Sequence, residues 1–396
     1  MIGFSREEYE QRLNKLRARM KEAGIDLAFL NIPADIYYFC GTNVNSVLLV
    51  PAVDHAMLFV RLGYERALLD CSLEPEYIYN SIGMKDIKAN ITRIKAKAPT
   101  IGIARDCITF SYQERLQQLL SDASFVDISN IVLEIRKIKS PEEISIIRVA
   151  SRIQEHSFQL CEKLIPAGIT EIELQCELKK LQMMEGVEES MVNRIGISNV
   201  FGVVCSGPNT AVMSSPWVVM SGTGVSPARP WGASNRKIRK GDAIVVDSGI
   251  RYQGYHSDEA RTFYLGTPSD ELKKNWDILM EIFHAALGKL ESGAPVSEVY
   301  FAAESKAKSH GMHGNFMGYD LCHSNYIGHG LGIEIDEPPI VGPNSKMILE
   351  KGMLLAIEPK LIIYGKYGLD IEFTVLVKEK GYELLCHYPE DLKCLG

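Results

Sequence analysis

Apolar residues recur along the chain with two different periods, and the alternation between them predicts its elements. Ser5 and Glu8 read as a capping box, able to satisfy free N–H groups at a helix start. Behind them Tyr9, Leu13, Leu16 and Met20 fall on one helical face. Gly24 ends that helix. Short apolar runs follow, "DLAFLN", "SVLLV", "AMLFV", "RALLD", "TIGIA" and "FVDIS", each read as a strand. A helix, "YQERLQQLL", stands between the last two. Strands and helices mixed at this spacing predict an α/β domain.

A second unit opens at "IRKIKSPEEISIIRVASRI". Ser140 caps, Pro141 suits the first helical turn, and Glu143 closes the box. Ile146, Ala150, Ile153 and Leu160 supply the expected buried stripe. Thr170 and Glu173 start another helix after "PAGIT", and further helices are predicted over 270–291 and 297–310. Between and after them lie strands: "AIVVDSGI", "SDEARTFYL", "MLLAIEP" and "LDIEFTVLV". The expected domains are therefore 1–138 and 139–396, a division that 396 residues readily allow.

Composition narrows the class. An apolar fraction of 46% with 23% charged residues is that of a globular protein. A net charge of −7 leaves no excess of Lys and Arg for nucleic acid. The start, "MIGFSREEYE", turns charged too soon for a signal peptide, and runs such as "VLLVPAV" are too short to span a bilayer. The 9 cysteines are scattered without a C-x-x-C pair, as expected of reduced thiols. A cytoplasmic enzyme with no membrane partner is the expectation.

The chemistry lies in acidic residues embedded in apolar strands. Asp247 and Asp258 flank a Gly-containing turn in "AIVVDSGIRYQGYHSDEARTF", so a hairpin would bring both to one point. Glu358 in "AIEP" and Glu372 in "LDIEFTV" occupy similar contexts. Burying such carboxylates unpaired costs several kcal/mol each, and divalent cations offset that cost. His329, between Gly328 and Gly330, is the candidate imidazole. Taken singly, a strand aspartate or a Gly-His-Gly means little. Together they suit a site of carboxylates and imidazole.

In this order the motifs "DSG", "GYHSD", "GHGLG", "DEPP", "GMLLAIEP" and "DIEFTVLV" resemble the pita-bread metallopeptidases: methionine aminopeptidase, aminopeptidase P and prolidase, with creatinase as a metal-free relative. The resemblance covers essentially the whole chain. It implies an α+β architecture, a pita-bread catalytic domain preceded by a smaller creatinase/prolidase-type α/β domain. It also implies that Asp247, Asp258, His329, Glu358 and Glu372 hold two divalent metal ions (Mn, Co or Zn), bridged by Asp258 and Glu372. A bridging hydroxide would then attack an amide carbonyl, with Glu358 passing the proton. Relatives of this kind are commonly homodimers.

The sequence departs from the family at its other histidines. Asp336 stands seven residues after His329, where the family has a histidine that contacts substrate. The second active-site histidine, expected after "SGPN", is also missing. That stretch is longer than in the family and contains "SSPWVVMSGTGVSPARPWGAS". Arg229 lies near the missing histidine's place, and Trp217 and Trp231 are expected to cover the site's mouth and face substrate. Asp370 replaces an arginine of prolidase-like members, Phe373 an aspartate, and Ala260 a frequent threonine. Asp336 is expected to face the cavity as a base or as an anchor for a cationic group. Three readings remain open. One is an Xaa-Pro dipeptidase or aminopeptidase acting on short peptides. Another is a creatinase-like C–N hydrolase or lyase of a small cationic metabolite. The third is a pseudo-enzyme binding module, which the five intact ligand residues disfavour.

Overall fold

A computed structural model describes the chain except residues 1, 2, 82, 96, 190, 195, 199–201 and 215–218, and the side chains of 196–198. It divides into two units, Met1–Arg136 and Lys137–Gly396.

The first unit is built on one sheet. Its strands are β1 (Leu27–Leu30), β2 (Asn45–Pro51), β3 (Met57–Leu62), β4 (Ile78–Asn80), β5 (Thr100–Ile103) and β6 (Ser124–Asp127), in the order β4-β3-β2-β1-β5-β6. The pairings β1–β2 and β2–β3 are antiparallel; the other three are parallel. Its helices are α1 (Arg6–Glu22), α2 (Pro33–Cys40), α3 (Tyr64–Asp70), α4 (Met84–Ile94), α5 (Phe110–Leu119) and α6 (Ser129–Arg136). Tyr9, Leu13, Leu16 and Met20 are buried along α1, as their spacing predicts. Ser5 Oγ accepts from Glu8 N–H, whereas the Glu8 carboxylate accepts from Arg12. One expected strand is corrected: "RALLD" belongs to α3. Its run of apolar residues is too short to separate helix from strand by period. In the fold Ala67 alone of α3 is buried, and Arg66 pairs with Asp70 one turn on.

The second unit carries α7 (Pro141–Leu164), α8 (Glu171–Met184), α9 (Asp270–Leu287) and α10 (Val296–Ser309). Both capping boxes read from sequence are formed, Ser140 with Glu143 and Thr170 with Glu173. The buried face of α7 is more polar than its periodicity suggests. Ile146 and Leu160 are only half-buried, while Ser151, Gln154 and Ser157 are buried. Gln154 donates to Ser248 O and Ser151 to Glu259, so this face meets the polar side of a sheet rather than a greasy one.

Its strands run in chain order: β7 (Met191–Asn193), β8 (Gly196–Ser198), β9 (Val203–Ser206), β10 (Ala243–Tyr252), β11 (Tyr255–Leu265), β12 (Gly318–Tyr319), β13 (Cys322–His323) and β14 (Gly328–Gly330). They continue as β15 (Glu337–Ile340), β16 (Leu354–Ile357), β17 (Lys360–Ile363), β18 (Tyr367–Asp370), β19 (Phe373–Val377), β20 (Tyr382–Leu384) and β21 (Lys393–Leu395). Two sheets matter for the site, β21-β11-β10-β9 and β15-β14-β16-β19-β20. The run "LDIEFTVLV" is not one strand but two, β18 and β19, broken at Ile371 and Glu372. At that break Ala260 of β11 and Glu372 exchange backbone hydrogen bonds in an isolated bridge. The ladder does not continue on either side. Instead Thr262 Oγ1 accepts from Asp370 N–H and donates to Asp370 O, at 2.9 and 2.8 Å. Thr374 Oγ1 serves Asp258 in the same way, both at 2.9 Å. The two sheets therefore meet at one crossing, flanked by threonine hydroxyls.

Arg261 locks the crossing from behind. Its buried guanidinium donates to Ala260 O, Glu372 O, Tyr388 O and Pro389 O and lies 3.7 Å from the centroid of the Phe373 ring. Phe373 thus packs into the core rather than toward the carboxylates, stacked on Phe283. Among the described residues, no helix is long and apolar enough to cross a membrane. Replacing Arg261 by Met keeps the volume but strips several buried carbonyls of their donor, at about 1–3 kcal/mol each. Denaturant unfolding of Arg261→Met is expected to show a loss of about 3 kcal/mol or more; a loss under about 1 kcal/mol would show that the crossing holds without it.

Candidate metal centre

The hairpin β10–β11 sets the first two carboxylates. Its register pairs Asp247 with Ala260 and Gly249 with Asp258. Opposed residues share a face, and so do residues two apart, which puts Asp247 and Asp258 on one side of the sheet. The crossing at Ala260 carries Glu372 to that side. Glu358 follows β16, and His329 on β14 pairs with Ala356 of the same strand. Glycines flank His329 because neighbouring strands pass close. A Cβ on Gly328 would lie 2.1 Å from Ala356 O, and one on Gly330 would lie 2.5 Å from Pro338 O.

Asp258, His329 and Glu372 are buried, and each offers one ligand atom within 4.8 Å of the others. His329 Nε2 faces the acidic groups, 3.9 Å from Asp258 Oδ2 and 3.6 Å from Glu358 Oε1. Glu372 Oε2 is buried without a hydrogen-bond partner. Oxygen and imidazole donors with an unsatisfied, buried carboxylate oxygen fit a divalent cation. Asp247 and Glu358 stand beside this group and keep 14% and 13% of their side-chain surface exposed. Asp258 keeps a similar 12%, so solvent reaches all three carboxylates.

Electrostatics follow from this crowding. Burial and mutual repulsion push the carboxyls of Asp258 and Glu372 well above the usual range, and burial raises Asp247 as well. Burial opposes a charge on His329, yet Asp336, Glu358 and Asp258 raise it to about 9. Glu358 is the exception among the acids. Burial would raise it, but Lys360 and His329 hold it below its ordinary value.

Lys360 was not among the residues picked out from sequence. Its side chain is 1% exposed, and its Nζ lies 2.7 Å from Glu358 Oε2 and 2.8 Å from Asp370 Oδ2. Lysine two residues after a strand glutamate looks like surface; only its pairing with Asp370 across β17 and β18 turns it inward. Asp370, fully buried, is raised by that burial to about 7 even with Lys360 beside it. Tyr326 was also missed. It is half-buried near Glu358 and Asp336, and burial followed by those two charges pushes its phenol up to about 12. His256 is a packing residue: burial holds it neutral, its pKa lowered to about 3. Its ring lies 3.1 Å from Gly332 O and accepts from Val192 N–H.

Asp336 does not sit among the carboxylates. Its side chain is 56% exposed, and its Oδ1 lies 3.2 Å from His329 Nδ1, the ring nitrogen turned away from the acidic group. The same nitrogen is 3.1 Å from Gly330 O. Arg229 and Trp231 are half-buried, and Arg229 N–H bonds to Ser226 O within its own turn. Trp217 lies outside the described residues. The ends of its segment pack on the strand bearing Asp370: Thr210 Oγ1 accepts from Gly368 N–H, and Met220 is buried against Gly368.

With the geometry in place, similarity to known proteins sharpens the picture. Residues 145–379 match the sequence profile of metallopeptidase family M24, and residues 12–138 match that of the creatinase/prolidase N-terminal domain. The Xaa-Pro dipeptidase of Pyrococcus furiosus is 28% identical over 386 residues, spanning 97% of this chain and 99% of that protein. The structure of an Xaa-Pro dipeptidase from Bacillus anthracis is similar with a TM-score of 0.83 at 26% identity, covering 98% of this chain and 100% of that one. An X-Pro aminopeptidase from Thermotoga maritima MSB8 gives a TM-score of 0.81 at 25% identity, covering 97% and 99%.

Neutralising one of the crowded acids tests the site. In metal-free protein Glu372→Gln removes repulsion, so its melting temperature is expected to rise above that of the wild type. Mn(II) at a hundredfold excess over its Kd should stabilise the wild type by about 2.7 kcal/mol and the variant far less. A variant that melts lower without metal and gains as much with Mn(II) would refute a cation at Glu372.

Proposed function

The chain belongs to metallopeptidase family M24, and on that premise we propose that it is a metal-dependent Xaa-Pro dipeptidase or aminopeptidase, hydrolysing the amide bond before proline in short peptides. The observation that supports this most is the convergence of Asp258, His329 and Glu372 in a fold similar along its whole length to Xaa-Pro dipeptidases. Fold likeness alone would not reach substrate. The ligand set makes the reading a hydrolase, and the similarity narrows its substrate.

The residues divide the work. When bound, a divalent cation supplies Lewis acidity toward the scissile carbonyl and acidifies a water molecule. Glu358, kept ionised by Lys360 2.7 Å away, takes the proton from the attacking water and returns it to the leaving amine. Asp336 is a positioning residue: beside His329 Nδ1 it fixes the ring so that Nε2 faces Asp258 and Glu358. This role replaces the base or substrate anchor expected from sequence. Tyr326, half-buried near Glu358 and Asp336 and kept a neutral phenol, is the proposed hydrogen-bond donor to the developing oxyanion.

A creatinase-like reaction on a cationic metabolite is less well supported, because Asp336 is turned to His329. Arg229, Trp217 and Trp231 remain proposed substrate contacts only.

Purified protein loaded with Mn(II) is expected to cleave Xaa-Pro dipeptides, to spare Pro-Xaa dipeptides, and to lose activity to a chelator until Mn(II) is restored. Tyr326→Phe should lower kcat about a hundred- to a thousandfold with little change in KM. Asp336→Asn should weaken metal affinity by about ten- to a hundredfold. Inert Xaa-Pro dipeptides alongside turnover of an amidino or betaine-like compound would overturn the peptidase reading.

A further inference from the structure

Family resemblance counts Asp247 and Glu358 among the ligands of a dinuclear metal site, yet both already face an ammonium. Lys360 Nζ lies 2.7 Å from Glu358 Oε2, 2.8 Å from Asp370 Oδ2 and 3.8 Å from Asp247 Oδ2. The only group of described residues whose donor atoms converge closely enough for an ion is Asp258, His329 and Glu372; Asp247 and Glu358 are not part of it. The acidic cluster thus holds an ammonium on one side and converging donors on the other, and Glu358 stands between them, its Oε2 on Lys360 and its Oε1 3.6 Å from His329 Nε2.

Register makes this arrangement rigid. Lys360 opens β17 directly after Glu358 and Pro359, and it opposes Asp370 at the end of β18. Asp370 lies two residues before Glu372. The lysine stem is therefore delivered between Glu358 and Asp370 by backbone pairing, not by a mobile surface chain. The positive charge comes from the strand opposite Asp370 and points at the carboxylates.

We propose that this protein binds a single divalent cation, on Asp258, His329 and Glu372, and that the ammonium of Lys360 occupies the role of the second ion by holding Asp247 and Glu358. With its Nζ on Glu358 Oε2 and 3.8 Å from Asp247 Oδ2, Lys360 stands where an ion held by those two oxygens would have to sit, and it would repel a dication placed there. A lysine ammonium is a compact charge with three donors, which suits three surrounding carboxylates. The proposal rests on the metallopeptidase reading for its ligand set.

Metal stoichiometry tests it without reference to turnover. The full chain is stripped with a chelator, reloaded with Mn(II), and assayed by elemental analysis and by electron paramagnetic resonance. Wild type is expected to hold one equivalent with the spectrum of an isolated ion. Lys360→Gly combined with Asp370→Asn frees Asp247 and Glu358, and should raise the stoichiometry to two with the spectrum of an exchange-coupled pair. Two tightly held ions in the wild type would overturn the proposal and leave the peptidase reading intact. No bound ion would overturn both. One ion in both proteins, with the variant folded by near-UV circular dichroism, would also overturn it. Should the double variant fail to fold, anomalous diffraction from Mn(II)-soaked wild-type crystals decides. A single peak beside Glu372 with Lys360 still on Glu358 supports the assignment; two peaks reject it.

Discussion

Negative charge confined to a small buried volume is the constraint on which the second unit depends. Asp247, Asp258, Glu358, Asp370 and Glu372 crowd one region, and all but Glu358 resist ionisation there, Asp370 even with Lys360 beside it. Lys360 and His329 supply part of that compensation from the chain itself. The fold holds the cluster because the acids sit on or beside paired strands, Asp247 and Asp258 on the β10–β11 hairpin and Glu372 at the bridge to Ala260. The bridge at Ala260 and Glu372, and the Arg261 clamp behind it, keep the acids from relieving their repulsion by moving apart.

Much of this could be read from the chain before folding. The acids that matter lie within apolar strand runs, where an unpaired charge is conspicuous, and the glycines beside His329 announce close backbone approach. The capping boxes at Ser140 and Thr170 also form as read. What escaped was whatever depends on pairing between distant strands. Lys360 resembles any surface lysine until Asp370 is placed opposite it. Asp336 was singled out by its spacing from His329, but spacing could not reveal that its carboxylate turns to the outer nitrogen of that ring. The run "RALLD" failed for a local reason: a few apolar residues carry no period, and Leu69 proves to be exposed.

The charged residues around the carboxylates are not scattered. Lys360, His329, Asp336 and Asp370 all stand in or beside one cluster. Together they set the charge of its surroundings. Asp336 and Tyr326 belong to those surroundings, one behind the imidazole and the other near Glu358. The polar face of α7 continues them outward: Gln154 and Ser151 reach the reverse side of the hairpin that carries Asp247 and Asp258.

The paired threonines at the strand crossing have a geometric consequence. A regular antiparallel ladder would hold β11 and the 370–374 segment a fixed few ångströms apart along their whole length. Here they touch only at Ala260 and Glu372, and on either side a hydroxyl from Thr262 or Thr374 fills the widening gap. The backbone groups of Asp258, Ala260, Asp370 and Glu372 stay partnered while the strands diverge, so opening the wedge leaves these four residues satisfied. The aperture is set by the length of a threonine side chain, a covalent spacer at each end, and not by any loop. Variation in the loops can then reshape what enters the cleft without altering the spacing at its apex.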